Sequence, residues 1–227
     1  MDAVGAITAS LEPEGLDHDA GGWQQRKSAQ TRTAILDAAV ACLEKYGYAG
    51  ATTQQIAATA DISRGAMLHH YATKQDLIAA VIEYIFWRRM ARLRDRITAL
   101  TEEQRVEEHA GIEIYWQGLL TPEYGAYLEL CVAARTDVEL RDVFLPRAQR
   151  YDALERDMVL SIFPEWSDKR DRYALAMDFC IASMEGLLLN RDIWADRDRR
   201  VAYRAFISKV ILMLRNGDLD PPTPRAS

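Results

Sequence analysis

Chain-breaking residues are scarce, with 12 glycines and 7 prolines in 227 residues. Few punctuators imply long helices joined by few turns. Cysteine is equally sparse. Cys42, Cys131 and Cys180 are odd in number and far apart, which excludes a disulfide framework and a Cys-x-x-Cys metal pattern, and reads as small buried residues of a reduced, cytoplasmic protein. No apolar run reaches the ~18–20 residues of a membrane span, so no membrane partner is expected. The N-terminus has no basic region ahead of an apolar stretch, as a secretory leader would. Catalytic patterns are missing too: there is no nucleophile elbow, no glycine-rich phosphate loop and no His-Glu-x-x-His. Four histidines supply little acid–base chemistry. The expectation is a protein that is not an enzyme, with no catalytic residue, no metal and no cofactor.

Half of the chain is apolar (49%) and about a quarter charged (27%), the composition of a globular protein rather than a disordered one. The net charge of −6 is unevenly spread. Residues 1–22 carry five acidic and no basic side chains, residues 23–77 carry six basic and four acidic, and the remainder is mildly acidic. Distribution matters more than the sum for a nucleic-acid partner, and the one basic stretch lies near the N-terminus.

Apolar positions recur at helical spacing, without a convincing strand period. Ile35, Ala38, Ala39, Cys42, Leu43 and Tyr46 share one helix face, and Gly47 suits the residue after the last turn. Thr52 and Gln55 make a capping-box pattern that opens a two-turn helix with Ile56, Ala57 and Ala60 inward. Asp61-Ile62-Ser63 breaks it, and Ser63 caps a second short helix from Arg64 to about Tyr71. Thr73 and Asp76 repeat the box and open a long helix to about Ile97. Two short helices joined by a tight turn have the geometry of a helix-turn-helix.

The stretch Thr52–Leu77, TTQQIAATADISRGAMLHHYATKQDL, resembles the DNA-binding signature of the TetR/AcrR family of transcriptional regulators. The match runs through Ile56, Ala57, Ser63, Gly65, His70, Lys74 and Leu77. Met67 stands for the family's Leu, Tyr71 for its Phe, and Leu68 where a Tyr is usual. The resemblance implies an all-α fold with an N-terminal helix-turn-helix module and a helical body for ligand binding and dimerisation. It divides the chain into a flexible acidic tail (1–22), a DNA-binding domain (23–77), a ligand-binding and dimerisation domain (78–217) and a C-terminal tail (218–227).

A two-turn helix fits the major groove with its N-terminal residues at the base edges. That places Arg64, Gly65 and Ala66 at the bases: Arg64 can pair with guanine, and Ala66 can meet a thymine methyl. Thr52, Thr53 and Lys74 stand at helix N-termini, which attract phosphate. His69 and His70 complete the clamp. Leu68 carries no hydroxyl for a phosphate, and His69 or Tyr71 can donate in its place. The resemblance implies backbone contacts at Thr53, His69, His70 and Lys74. Adjacent histidines point ~100° apart on a helix, which argues against a shared metal. Arg64 as a merely solvated charge is the plain alternative.

One module with so small an excess of positive charge binds weakly, so two are expected, on half-sites ~34–36 Å apart or a multiple of that. Further helices are expected near 102–119, 122–134, 137–163, 168–193 and 197–215, with Pro146 a kink and Pro164 a stop. The last two carry apolar stripes (Leu175, Phe179, Ala182, Gly186, Leu189; and Tyr203, Phe206, Ile207, Val210, Met213, Leu214) that suit a homodimer interface. Candidates for an unknown small-molecule effector are Trp87, Tyr115, Trp116, Tyr127, Cys131 and Phe179, with Asp178 and Glu185 as polar anchors. The aromatic and sulfur candidates have core packing as their plain alternative, and Asp178 and Glu185 a solvated stripe or an interfacial salt bridge. The expected function is a repressor released from palindromic double-stranded operator DNA by that effector; the alternative is a helical protein-interaction or small-molecule-binding module without sequence-specific DNA binding.

Overall fold

The computed structural model describes residues 3–16, 22–101, 103–104, 110–194 and 196–221. The acidic residues Asp2, Asp17 and Asp19, most of the expected helical stretch 102–109, and residues 222–227 lie outside them. Every regular element among the described residues is helical: α1 (Ala3–Ala9), α2 (Trp23–Gly50), α3 (Thr53–Thr59), α4 (Arg64–His70), α5 (Lys74–Thr98), α6 (Ala110–Leu119), α7 (Pro122–Ala133), α8 (Val138–Ile162), α9 (Arg170–Leu189) and α10 (Arg197–Asn216).

Local chemistry explains most boundaries. Within α2, Gly47 has φ 69° and breaks the helical path where a left-handed residue is needed. The Ser63 hydroxyl accepts from Ala66 N (3.1 Å) at the start of α4. Before α5, Thr73 and Asp76 cap reciprocally: Asp76 N donates to Thr73 Oγ1 and Thr73 N to Asp76 Oδ2, both at 3.0 Å. Asp196 caps α10 through Asp198 N and Arg199 N. Pro146 neither ends nor divides α8, and Pro164 opens a single 3-10 turn after it. Helix α9 stops at Leu189, earlier than the periodicity suggests, because the Asn190 side chain donates to the Gly186 carbonyl (2.8 Å) and competes with another helical turn.

The chain forms two compact units that do not follow the boundary at residue 77. The first contains residues 1–94 and 121–155, and the second 95–120 and 156–227. In the first, α2 packs on α3 and α7 around Ile35, Leu36, Leu43, Ile56, Met67, Ile82 and Leu130, all essentially inaccessible. Tyr46, the last member of the α2 stripe, is exposed instead, with the Lys45 ammonium over its ring. The tail expected to be flexible contains α1, and Thr8, Pro13 and Leu16 are buried. In the second unit, α6, α9 and α10 pack together. Here Trp166, Tyr173, Ala176 and Leu214 form the buried cluster. No helix among the described residues is long and apolar enough to cross a membrane.

Candidate nucleic-acid interface

The module is built on Met67. It is the only buried residue of α4, fully inaccessible, and so fixes which face of α4 looks outward. Arg64, Gly65, Ala66, Leu68 and His69 are exposed on that face. A Cβ on Gly65 would meet nothing closer than Ser63 Oγ at 3.9 Å. Packing within the chain therefore does not demand a glycine there, whereas close approach to an external surface would use one. The turn before α4 carries Asp61 at φ 55°, a conformation that aspartate tolerates better than most residues.

Thr52, Thr53 and Lys74, expected to bind anions, stand at the starts of α3 and α5. Thr52 caps α3, its Oγ1 accepting from Gln55 N (3.2 Å), and Thr53 is the first residue of that helix. Lys74 opens α5 and remains exposed, its ammonium resting over the Tyr48 ring at 4.6 Å. Burial, reinforced by Asp137 and Glu139, holds the Tyr48 hydroxyl protonated above its usual range. His70 and Tyr71 differ from the rest of the set. Both are half-buried and line a cavity shared with Arg32. Burial first, then the charges of Arg32 and His69, push the His70 imidazole below its ordinary pKa. Burial raises the Tyr71 hydroxyl, with Arg32 opposing.

Residues 35–81 match the family model described as bacterial regulatory proteins, tetR family. The HTH-type transcriptional regulator CymR of Pseudomonas putida is 28% identical over 177 residues, 78% of this chain and 86% of that protein. A transcriptional regulator from Rhodococcus superposes with a TM-score of 0.61 at 17% identity, covering 84% of this chain and 99% of the other. The chain is thus similar to regulators of the TetR family. It is a helix-turn-helix, DNA-binding transcriptional regulator, as expected from Thr52–Leu77. A third similar protein, from Saccharomonospora viridis and solved in complex with choline, has a TM-score of 0.60 at 16% identity, covering 81% and 96% of the two chains.

The eight effector candidates divide between the units. Trp87, Tyr127 and Cys131 fall in the first; Tyr115, Trp116, Asp178, Phe179 and Glu185 fall in the second. Trp87 rests against Tyr84, and the Arg204 guanidinium lies over buried Trp116 at 5.1 Å. Asp178 is largely exposed and pairs with Arg156 at 2.6 Å. Sequence reasoning missed the role of Arg89. Its guanidinium lies 4.5–4.8 Å from the rings of Tyr124, Tyr127 and Tyr151, and Phe86 stacks on Tyr151. Burial drives the Tyr151 hydroxyl far above its ordinary pKa although Arg89 opposes it. Glu123, 4% exposed, accepts from both Arg88 (3.3 Å) and Arg92 (2.9 Å). Those two arginines stand one helical turn apart on α5, and that spacing was the available signal.

Of the two stripes expected to form a dimer interface, the one on α10 divides: Ile207 and Leu214 are buried within the second unit, as core, while Phe206 is 59% exposed. No member of the α9 stripe is buried, and Leu189 at its end is 67% exposed.

Proposed function

We propose that the protein is a dimeric repressor that holds a palindromic operator through α4 of each subunit and releases it when a small molecule binds the body. The observation that carries the reading is the outward face of α4, where Arg64, Gly65 and Ala66 stand exposed above the buried anchor Met67. Arg64 takes the guanine contact, worth ~1–3 kcal/mol of discrimination when bidentate. Gly65 and Ala66 allow the backbone close to the bases. Thr53, His69 and Lys74 take phosphates, Thr52 orients the α3 terminus, and Leu68 makes an apolar contact beside them. His70 and Tyr71 brace the helix from behind.

The exposed apolar side chains of α9 and α10 support pairing of two copies through these helices. Symmetric association would bring one patch against its twin, as an isologous interface requires. The choline complex of a protein with the same fold supports a small-molecule effector. The eight body candidates, Tyr127 beside the Arg89 cluster among them, are the residues proposed to report its presence. Helix α5 starts at the reading module and runs on into the body, so a shift of its axis would change the spacing of the two α4 helices. A differential affinity of ~1–3 kcal/mol between states is enough. The protein acts by binding rather than catalysis, in the cytoplasm, where the operator is.

Anisotropy titration of a duplex pool over a range of salt tests the reading. The logarithm of the binding constant is expected to fall linearly with the logarithm of salt, at ~−0.9 per phosphate neutralised. Arg64→Ala is expected to weaken the preferred duplex by ~5–150-fold while leaving weak non-specific binding in place. No salt dependence, with binding to proteins instead, would favour the interaction-module alternative.

A further inference from the structure

The N-terminal arm packs against the first unit and closes a cavity there. Arg150 Nη2 donates to the Ser10 carbonyl (3.2 Å), and Pro13 and Leu16 are buried. Gly15 takes φ 76°, and a Cβ at that position would fall on the Arg32 guanidinium. The arm thus crosses Arg32 at the one residue type that fits both the backbone and the contact.

Beneath the arm lies a cavity of about 430 Å³, bounded by α2, the end of α4, α5 and α8. That is within the ~300–1,000 Å³ of ordinary small-molecule sites. Leu11, Tyr71 and Ala80, all partly exposed, provide apolar wall, while Arg32, Arg147, Arg150 and His70 bring positive or protonatable groups to it. Arg147 is occupied by Glu83 at 2.9 Å. Arg32 and Arg150 form no ion pair with a carboxylate among the described residues, although Glu12 and Glu14 of the arm also line the cavity and are exposed. The environment at His70 reports the same balance: the charges acting on it, Arg32 and His69, both disfavour its protonation. Two guanidinium groups facing a common space beside an aromatic wall match the chemistry of an amphipathic anion.

We propose that this cavity is a binding site for a small organic anion, whose carboxylate or sulfonate pairs with Arg32 and Arg150 and whose apolar part lies on Leu11 and Tyr71. The site is separate from the proposed effector candidates, none of which lines it. It does not depend on α4 reading DNA. His70 and Tyr71, at the end of α4, form part of its wall.

The test uses the free full-length protein and 1-anilinonaphthalene-8-sulfonate, with uncharged N-phenyl-1-naphthylamine as its control. The readout is the imidazole proton resonance of His70, assigned with His70→Gln, because binding elsewhere leaves that resonance in place. The sulfonate is expected to move it saturably, and the Arg32→Ala/Arg150→Ala double variant, checked for folding by circular dichroism, is expected to bind at least about tenfold more weakly. An unmoved resonance, or equal binding by the folded double variant, overturns the proposal. If that variant does not fold, the control decides: an equal shift by the neutral amine overturns the requirement for an anion, and no shift supports it. Because no DNA is present, failure of the operator reading does not alter either result.

Discussion

At the scale of single residues, His70 shows how one side chain can satisfy a family pattern and still do different work from the one its neighbours suggest. Its burial beside Arg32 depresses its pKa, so the folded chain prefers the neutral imidazole. The stability this contributes is complete above the unfolded value near ~6.5 and is lost as pH falls through that value toward the lower folded one. Urea unfolding between pH 7.5 and 5 should therefore show stability declining on acidification, and His70→Gln should flatten the decline. A wild-type His70 titration midpoint at or above 6.5, read by proton NMR, would contradict the assignment. The adjacent pair His69-His70 was legible as two members of one phosphate clamp. That His70 is turned toward Arg32 was not legible, because Arg32 is remote in sequence and nothing local announces the contact. Arg89 was hidden for the same reason: its three tyrosines come from α7 and α8, and only tertiary packing brings them to one guanidinium.

Among the elements, the reading module was the most legible part of the chain because its boundaries are set by local hydrogen bonds. Ser63, Thr73 and Asp196 all cap where their side-chain chemistry suggests. Thr52 does so through Gln55 N. Ser63→Ala should cost ~0.5–2 kcal/mol of stability, seen as a lowered denaturant midpoint. The same substitution should weaken operator binding more than stability alone explains, since the cap also orients Arg64 and Ala66. An unchanged midpoint would mean that the cap seen between Ser63 and Ala66 is not maintained in solution. Less legible were elements whose ends depend on tertiary context. The acidic, glycine-containing N-terminus looked like a tail, yet its few apolar residues, Leu16 and Pro13, are enough to seat it, and α1 precedes them. Helix α8 passes through Pro146 because the surrounding packing outweighs one missing hydrogen bond.

For the whole molecule, the all-α architecture followed from helical periodicity and the shortage of glycine and proline. The division into units did not, since α5 and α8 each run past a unit boundary and periodicity cannot mark a change of packing partner along a continuous helix. The stripes on α9 and α10 were readable as apolar, but not which members turn inward: on α10 Ile207 and Leu214 are inside and Phe206 outside, while no member of the α9 stripe is buried. Phe206→Glu should place two charges against each other in a symmetric interface. It is expected to halve the mass measured by analytical ultracentrifugation at micromolar concentration and to reduce operator affinity with it. A wild-type protein already monomeric under those conditions would remove the α9–α10 interface. Whether two copies of α4 read one duplex is decided by selecting bound sequences from a random DNA pool. The account predicts an inverted repeat whose half-sites lie about one helical turn, ~34–36 Å, or a multiple of it, apart, with Arg64→Ala relaxing one guanine in each half. Recovery of sequences with no shared motif, or of a single unrepeated half-site, would contradict it.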